Sequence, residues 1–233
     1  MSERVCAVVG VGPGNGAAFA RRFAQEGYKV ALLARTTEFS AELAATLPGA
    51  RAYACDVADA ASVERAFVAS RADLGEIEVV VYNAGSGIWG SIDEVTAANF
   101  ELSWRVNTLG AFLVSKQVIP AMKSAGRGSI VFVGATASRR GGAKTAAFAP
   151  AKAAQRSLAE SMARSLWPSG IHVSIIIVDG VVDLAATRKR MPDKPDSFFI
   201  KPDDIAETAF RLTEQKPSAW SFEVEARPFA ETW

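Results

Sequence analysis

The 233-residue sequence has a single histidine, His172, and only two cysteines, Cys6 and Cys55. One histidine leaves no zinc site of the usual cysteine–histidine kind, and no choice of base for a serine–histidine–aspartate triad. Two cysteines in apolar stretches form no disulfide framework and read as small core residues. An excess of either charge is also missing. Lys and Arg total 26 against 25 Asp and Glu, a formal net charge of +1. That balance excludes a strongly basic nucleic-acid binder and an acidic tail as the main theme. No uninterrupted apolar stretch approaches the roughly 18 residues of a membrane span. The opening MSERVCAVVGVG lacks the basic and apolar regions of a signal peptide. The expectation is a reduced, cytoplasmic protein with no metal, no membrane partner and no nucleic acid.

What is present is alternation. Hydrophobic residues make up 49% and charged residues 22%, a globular balance. Short apolar runs predict strands at Val5–Val9, Lys29–Ala34, Ala50–Ala54, Glu78–Tyr82, Ser129–Val133, His172–Val178 and Ser221–Glu225. Helical spacing predicts helices at Ala17–Glu26, Glu38–Leu47, Ala60–Leu74, Ala97–Ser124, Ala149–Leu166 and Asp203–Gln215. Asp59 is a plausible N-cap, Gly27 follows a helix end, and Pro120 sits inside the longest helix. Repeated strand–helix units give parallel neighbours joined by right-handed crossovers. The expected fold is α/β: one Rossmann-type domain over residues 1–233, with a doubly wound parallel sheet of about seven strands and helices on both faces. Residues 185–201 have mixed charges, two prolines and no clear period. They read as a variable loop or lid near the carboxyl ends of the strands.

The first strand runs into Gly10-Val11-Gly12-Pro13-Gly14-Asn15-Gly16 and then into a helix. Glycines there let the backbone turn tightly against a pyrophosphate, which the helix N-terminus attracts. Gly10, Pro13, Gly14, Asn15 and Gly16 are therefore cofactor-binding candidates. Two glycine spacings fit, Gly10-x-x-x-Gly14-x-Gly16 and the offset Gly12-x-Gly14-x-x-Ala17. The second strand ends Leu33-Ala34-Arg35-Thr36. An acidic residue there would bind the ribose hydroxyls and repel a 2′-phosphate; an arginine matches that phosphate in charge and shape. Arg35 thus favours NADP(H) over NAD(H).

Together with this turn, Cys55-Asp56-Val57, Tyr82-Asn83-Ala84-Gly85, Asn107, Lys152 and a final strand behind a Pro-Asp-Asp-Ile helix stand at family-like spacing. On these motifs the chain resembles the short-chain dehydrogenase/reductase family along essentially its whole length. The resemblance implies hydride transfer between a nicotinamide and a carbonyl/alcohol substrate. It assigns Asp56 and Val57 to the adenine ring and Asn83, Ala84 and Gly85 to the adenosine side. Asn107 matches the asparagine of the proton relay, and Val182 the backbone position that holds the carboxamide. Lys152 matches the lysine of the nicotinamide ribose, as ribose ligand alone or also as relay member. Asp179 stands where the family usually has proline, an extra carboxylate near the nicotinamide end. The family commonly builds homodimers or homotetramers, and here Phe100, Trp104, Leu109 and Phe112 line one long helix.

The departure is Phe148-Ala149-Pro150-Ala151-Lys152, where the family has Tyr-x-x-x-Lys. Phenylalanine has no hydroxyl to protonate a carbonyl oxygen. Counting back to the family's serine reaches Ala135, with Thr136 and Ser138 nearby. Ser138 is taken ahead of Thr136 as the replacement hydroxyl, so the catalytic candidates are Lys152, Asn107 and Ser138. Two basic clusters, Arg139-Arg140 with Lys144 and Arg188-Lys189-Arg190 with Lys194, flank the presumed substrate side. They fit either an anionic substrate or solvated loop charge. Ile88 and Trp89 offer an apolar wall. His172, opening a strand, reads as a surface or satisfied histidine. The function expected is an NADP-dependent oxidoreductase with a non-standard proton donor; the alternative is a non-catalytic NADP(H)-binding sensor or partner subunit.

Overall fold

The computed structural model describes residues 4–230. β1 (Val5–Val9) is buried along its whole length. β2 (Lys29–Ala34), β3 (Arg51–Ala54), β4 (Val79–Tyr82), β5 (Gly128–Ala135), β6 (Ile171–Val178) and β9 (Glu223–Ala226) join it. Among the described residues they form a seven-stranded sheet ordered β3-β2-β1-β4-β5-β6-β9, and every pairing is parallel. Such strands need apolar residues on both faces. Val5, Ala7 and Val9 face one core, while Cys6 and Val8 face the other. The first core is covered by α3 (Ala60–Leu74), α5 (Gly110–Ala125) and α6 (Phe148–Leu166). The second is covered by α1 (Asn15–Gln25), α2 (Glu38–Ala44) and α8 (Pro202–Thr213). Strand order reverses direction between β1 and β4, and the crevice at the carboxyl ends of these strands is where open α/β sheets bind ligands.

The long helix expected from Ala97 is broken in a way that spacing does not reveal. α4 (Ala97–Trp104) passes into a π-helical turn, Arg105–Leu109, before α5 begins. A π turn disturbs the regular ladder and leaves carbonyls to be satisfied from outside it. Tyr82 Oη donates to Val106 O at 2.6 Å, and Gln155 Nε2 donates to Asn107 O at 2.7 Å. Thr108 Oγ1 donates to Ala151 O at 2.8 Å, tying the turn to α6.

Residues 185–201 carry more regular structure than their composition implies. β7 (Val181–Val182) pairs with β8 (Phe199–Ile200), enclosing α7 (Ala185–Arg190) and a 3₁₀ turn at Asp196–Phe198. Arg188 holds the segment together. It donates to Asp183 at 2.7 Å and to Asp196 at 2.6 Å, and its guanidinium lies 4.1 Å from the Phe199 ring centre. β9 also falls later than the expected Ser221–Glu225. Ser221 instead places its carbonyl against the ring of His172, which is buried, stacked on Trp220 and also bonded to Leu212 O. His172 is a satisfied core residue. Cys6 and Cys55 are likewise buried free thiols, and burial pushes Cys55 up to about 12.

Candidate active site

The glycine turn joins β1 to α1 and packs against the end of β4. Gly10 has φ +92°, and a Cβ there would stand 2.5 Å from the backbone of Ala84. Asn83 Nδ2 donates to Gly10 O at 2.7 Å, clamping the two loops together. At Gly16 a Cβ would meet Gly10 O at 2.7 Å, whereas Gly12 has open space around it. The tight positions therefore follow the Gly10–Gly16 spacing and not the offset one. α1 starts behind Gly14 with no side-chain cap and no acid in its first turn, leaving its N-terminus open to an anion. Asn15 Oδ1 is buried without a hydrogen-bond partner, and Asn15 lines the adjoining cavity. A buried orphan oxygen is costly unless something meets it. Arg35 is exposed directly after β2. Asp56 is exposed, and Val57 packs where α5 comes close at Gly110. These residues fit a dinucleotide with its phosphates at α1.

The cavity occupies about 710 Å³ at the carboxyl ends of the strands. A hollow of similar size, about 730 Å³, lies beside Gly75–Glu78 and Arg127, at the amino ends of β4 and β5. It holds none of the candidate residues. The first cavity brings together Asn15, Asn83, Gly85, Lys152 and Val182. Lys152 sits in the first turns of α6 and is buried. Its Nζ donates to Val133 O at 2.8 Å and to Gln155 Oε1 at 3.1 Å. Burial pushes its ammonium down to about 8, because a low-dielectric setting penalises the charged form. Asn107, inside the π turn, donates through Nδ2 to Ser103 O at 2.8 Å and to Ser86 Oγ at 3.0 Å. Its Oδ1 is buried and unpartnered. A Cβ on Gly85 would lie 3.3 Å from that oxygen and 3.9 Å from Lys152 Nζ. Glycine at 85 thus keeps a gap open between the asparagine and the lysine.

The hydroxyl chemistry differs from the sequence expectation. Ser138 does not line the cavity; its Oγ accepts the Ala135 N–H at 3.1 Å and closes the 3₁₀ turn Thr136–Ser138. Thr136 does line it, but its hydroxyl donates to Asp179 Oδ1. Asp179 Oδ2 accepts from Arg227 in turn. The extra carboxylate is therefore bonded on both oxygens, with its side chain 9% exposed. Phe148 meets Trp89 at 5.3 Å between ring centres, an apolar wall without an oxygen.

Three residues of the basic clusters are firmly paired. Arg139 binds Glu223 and Glu225, Lys144 binds Glu94 at 2.7 Å, and Arg188 is spent on its own segment. Arg140 alone of these lines the cavity. Sequence reasoning missed Gln155, Ser86 and Arg227. Gln155 had a signal, since it lies three residues beyond Lys152 on one helix face; the other two depend on loop placement.

Comparison with known proteins bears on the family and the fold. A family profile described as short chain dehydrogenase matches residues 4–195. The chain is 29% identical over 233 residues to 2-(S)-hydroxypropyl-CoM dehydrogenase 3 of Xanthobacter autotrophicus, covering 92% of this chain and 91% of that protein. A short-chain dehydrogenase from Rhodopseudomonas palustris superposes with a TM-score of 0.83 at 33% identity, over 97% of this chain and 99% of that one. An alcohol dehydrogenase from the archaeon Thermococcus sibiricus, complexed with 5-hydroxy-NADP, superposes with a TM-score of 0.88 at 26% identity. That match covers 99% of this chain and 98% of the other.

Proposed function

The chain belongs to the short-chain dehydrogenase/reductase family of nicotinamide-dependent oxidoreductases, and from that premise we propose that it is an NADP-dependent enzyme acting on the carbonyl/alcohol pair of a small molecule. The observation that carries this reading is Lys152, buried at the cavity with its ammonium pushed down to about 8, beside a glycine turn shaped for phosphates. Arg35 supports the 2′-phosphate form through its charge and fork of donors, and the archaeal relative bound to a 5-hydroxy-NADP is consistent with it. Gly10, Pro13, Gly14, Asn15 and Gly16 would hold the phosphates. Asp56 and Val57 would flank the adenine, with Asn83, Ala84 and Gly85 on the adenosine side and Val182 at the carboxamide. Bound there, the nicotinamide supplies hydride.

The chain's own residues supply the rest. Lys152 holds a proton and passes it through water to the carbonyl oxygen. Asn107 keeps an acceptor, Oδ1, across the gap at Gly85 and orients that water. Ser138 serves the turn that shapes the cavity floor. With no hydroxyl at Phe148 or Ala135, proton delivery is the weak step. A positioned acid contributes about 10²–10⁴-fold in rate, while orientation of bound reactants survives its loss. The exposed Phe100, Trp104 and Phe112 supply an apolar face for a homo-oligomer.

The missing hydroxyls also support a second reading, an NADP(H)-binding sensor or partner subunit without turnover. NADPH oxidation against a panel of aldehydes, ketones and oxo acids separates the two. The enzyme reading predicts turnover with at least one member and its loss in Lys152→Ala. NADPH binding with no turnover across the panel supports the sensor; full activity in Lys152→Ala contradicts the mechanism.

A further inference from the structure

We infer that the cavity takes a 2-oxo acid, with the carboxylate on Arg140 and an apolar tail against Trp89 and Phe148. The inference rests on the hydride-transfer reading and names its substrate. Among the described residues, two cations, Arg140 and Lys152, line the cavity, and no carboxylate does. Arg139, the neighbour in sequence, is consumed by Glu223 and Glu225. Arg140 is different. Its side chain is 68% exposed, and its acidic neighbour is Asp179, 3.7 Å away. Both oxygens of Asp179 are already taken, by Thr136 and by Arg227. At 3.7 Å from Asp179, beyond hydrogen-bond distance, Arg140 keeps guanidinium donors unspent at the cavity. A planar fork of donors beside an apolar wall suits a carboxylate with a hydrophobic tail.

The missing donors point to the same substrate. Phe148 and Ala135 offer no hydroxyl to a carbonyl oxygen, and the Thr136 proton is committed to Asp179. A plain ketone would develop alkoxide charge with little to meet it. In a 2-oxo acid the carbonyl oxygen lies beside the carboxylate, so a cation placed for one also faces the other. In the step, the carbonyl carbon would accept a hydride, with its electron pair, from reduced nicotinamide. The π pair of the C=O bond moves to oxygen, and that oxygen takes the proton that Lys152 passes through water. The products are a 2-hydroxy acid and oxidised nicotinamide.

The probes are benzoylformate and its methyl ester, each reduced with NADPH by the full chain. Oxanilate, a carboxylate of similar shape that is not reduced, and its methyl ester are titrated calorimetrically against the NADP⁺ complex. The acid is expected to exceed the ester by about 10–100-fold in kcat/KM, the range of a charge-assisted hydrogen bond. Arg140→Ala is expected to bring that ratio to about 1 and to weaken oxanilate by about tenfold or more. Arg140→Lys restores part of both, because it keeps the charge without the fork. The dissociation constant of NADPH reports whether each variant is folded. Equal handling of acid and ester by the parent protein, or an unchanged ratio in Arg140→Ala, overturns the inference and leaves the oxidoreductase reading standing. Absence of NADPH binding by the parent overturns that reading itself, and the inference with it.

Discussion

Lys152 is an ammonium held where burial brings its pKa from 10.5 to about 8. Between those values the unfolded chain holds the proton more firmly than the folded one, so stability rises with pH through that window. Below the window the full cost applies, about 3 kcal/mol. Lys152→Met removes this titration. Its stability relative to the parent is expected to fall by about 3 kcal/mol from about pH 7 to pH 10, read from urea unfolding at each pH. A difference independent of pH would contradict a buried charged lysine. At Phe148 the account predicts a gain of function. Phe148→Tyr combined with Ala135→Ser is expected to raise the rate of carbonyl reduction by about 10²-fold, measured as kcat in steady-state assays. An unchanged rate would mean that proton delivery is not the weak step. Lys152 and Asn107 were legible from motif spacing, because each family position maps onto one residue. The hydroxyls were not. Whether Ser138 or Thr136 reaches the cavity depends on how a three-residue 3₁₀ turn closes, and no spacing rule carries that.

The elements that carry the site are fixed by close contacts, and these give sharper stability predictions than apolar burial does. Gly10→Ala must place a side chain at φ +92° and 2.5 Å from the Ala84 backbone. A loss of about 2 kcal/mol or more is expected, measured by thermal unfolding, together with loss of NADPH binding. Asp59 accepts the Ala61 N–H at 3.0 Å and caps α3. Asp59→Ala is expected to cost about 1 kcal/mol with NADPH affinity retained. Equal losses of binding in the two variants would separate the glycine turn from the cofactor. Strand and cap signals were readable here because they are local: Asp59 precedes a helical period, and β1 is a continuous apolar run. The π turn at Arg105–Leu109 was not readable. It exists through partners far away in sequence, Tyr82 and Gln155, and the helical period alone continues straight through it. The pairing of β7 with β8 was hidden for the same reason, since each strand has two residues.

For the whole molecule, alternation of strands and helices made the parallel sheet legible, because parallel neighbours require crossovers and crossovers have one hand. The strand order places the reversal between β1 and β4, and from that follows the location of the glycine turn, Asn83 and Lys152 around one crevice. Net charge and histidine count could exclude functions but could not locate the cavity's two cations, since a count does not tell which basic residues, such as Arg139 and Lys144, are paired with distant acids. We propose that this crevice is a nicotinamide site that prefers the 2′-phosphorylated cofactor. Fluorescence titration of the purified protein with NADPH, and separately with NADH, tests it most directly. Saturable binding of both is expected, with NADPH tighter by about tenfold or more, and a smaller margin in Arg35→Ala. Failure of a folded sample to bind either nucleotide would contradict it.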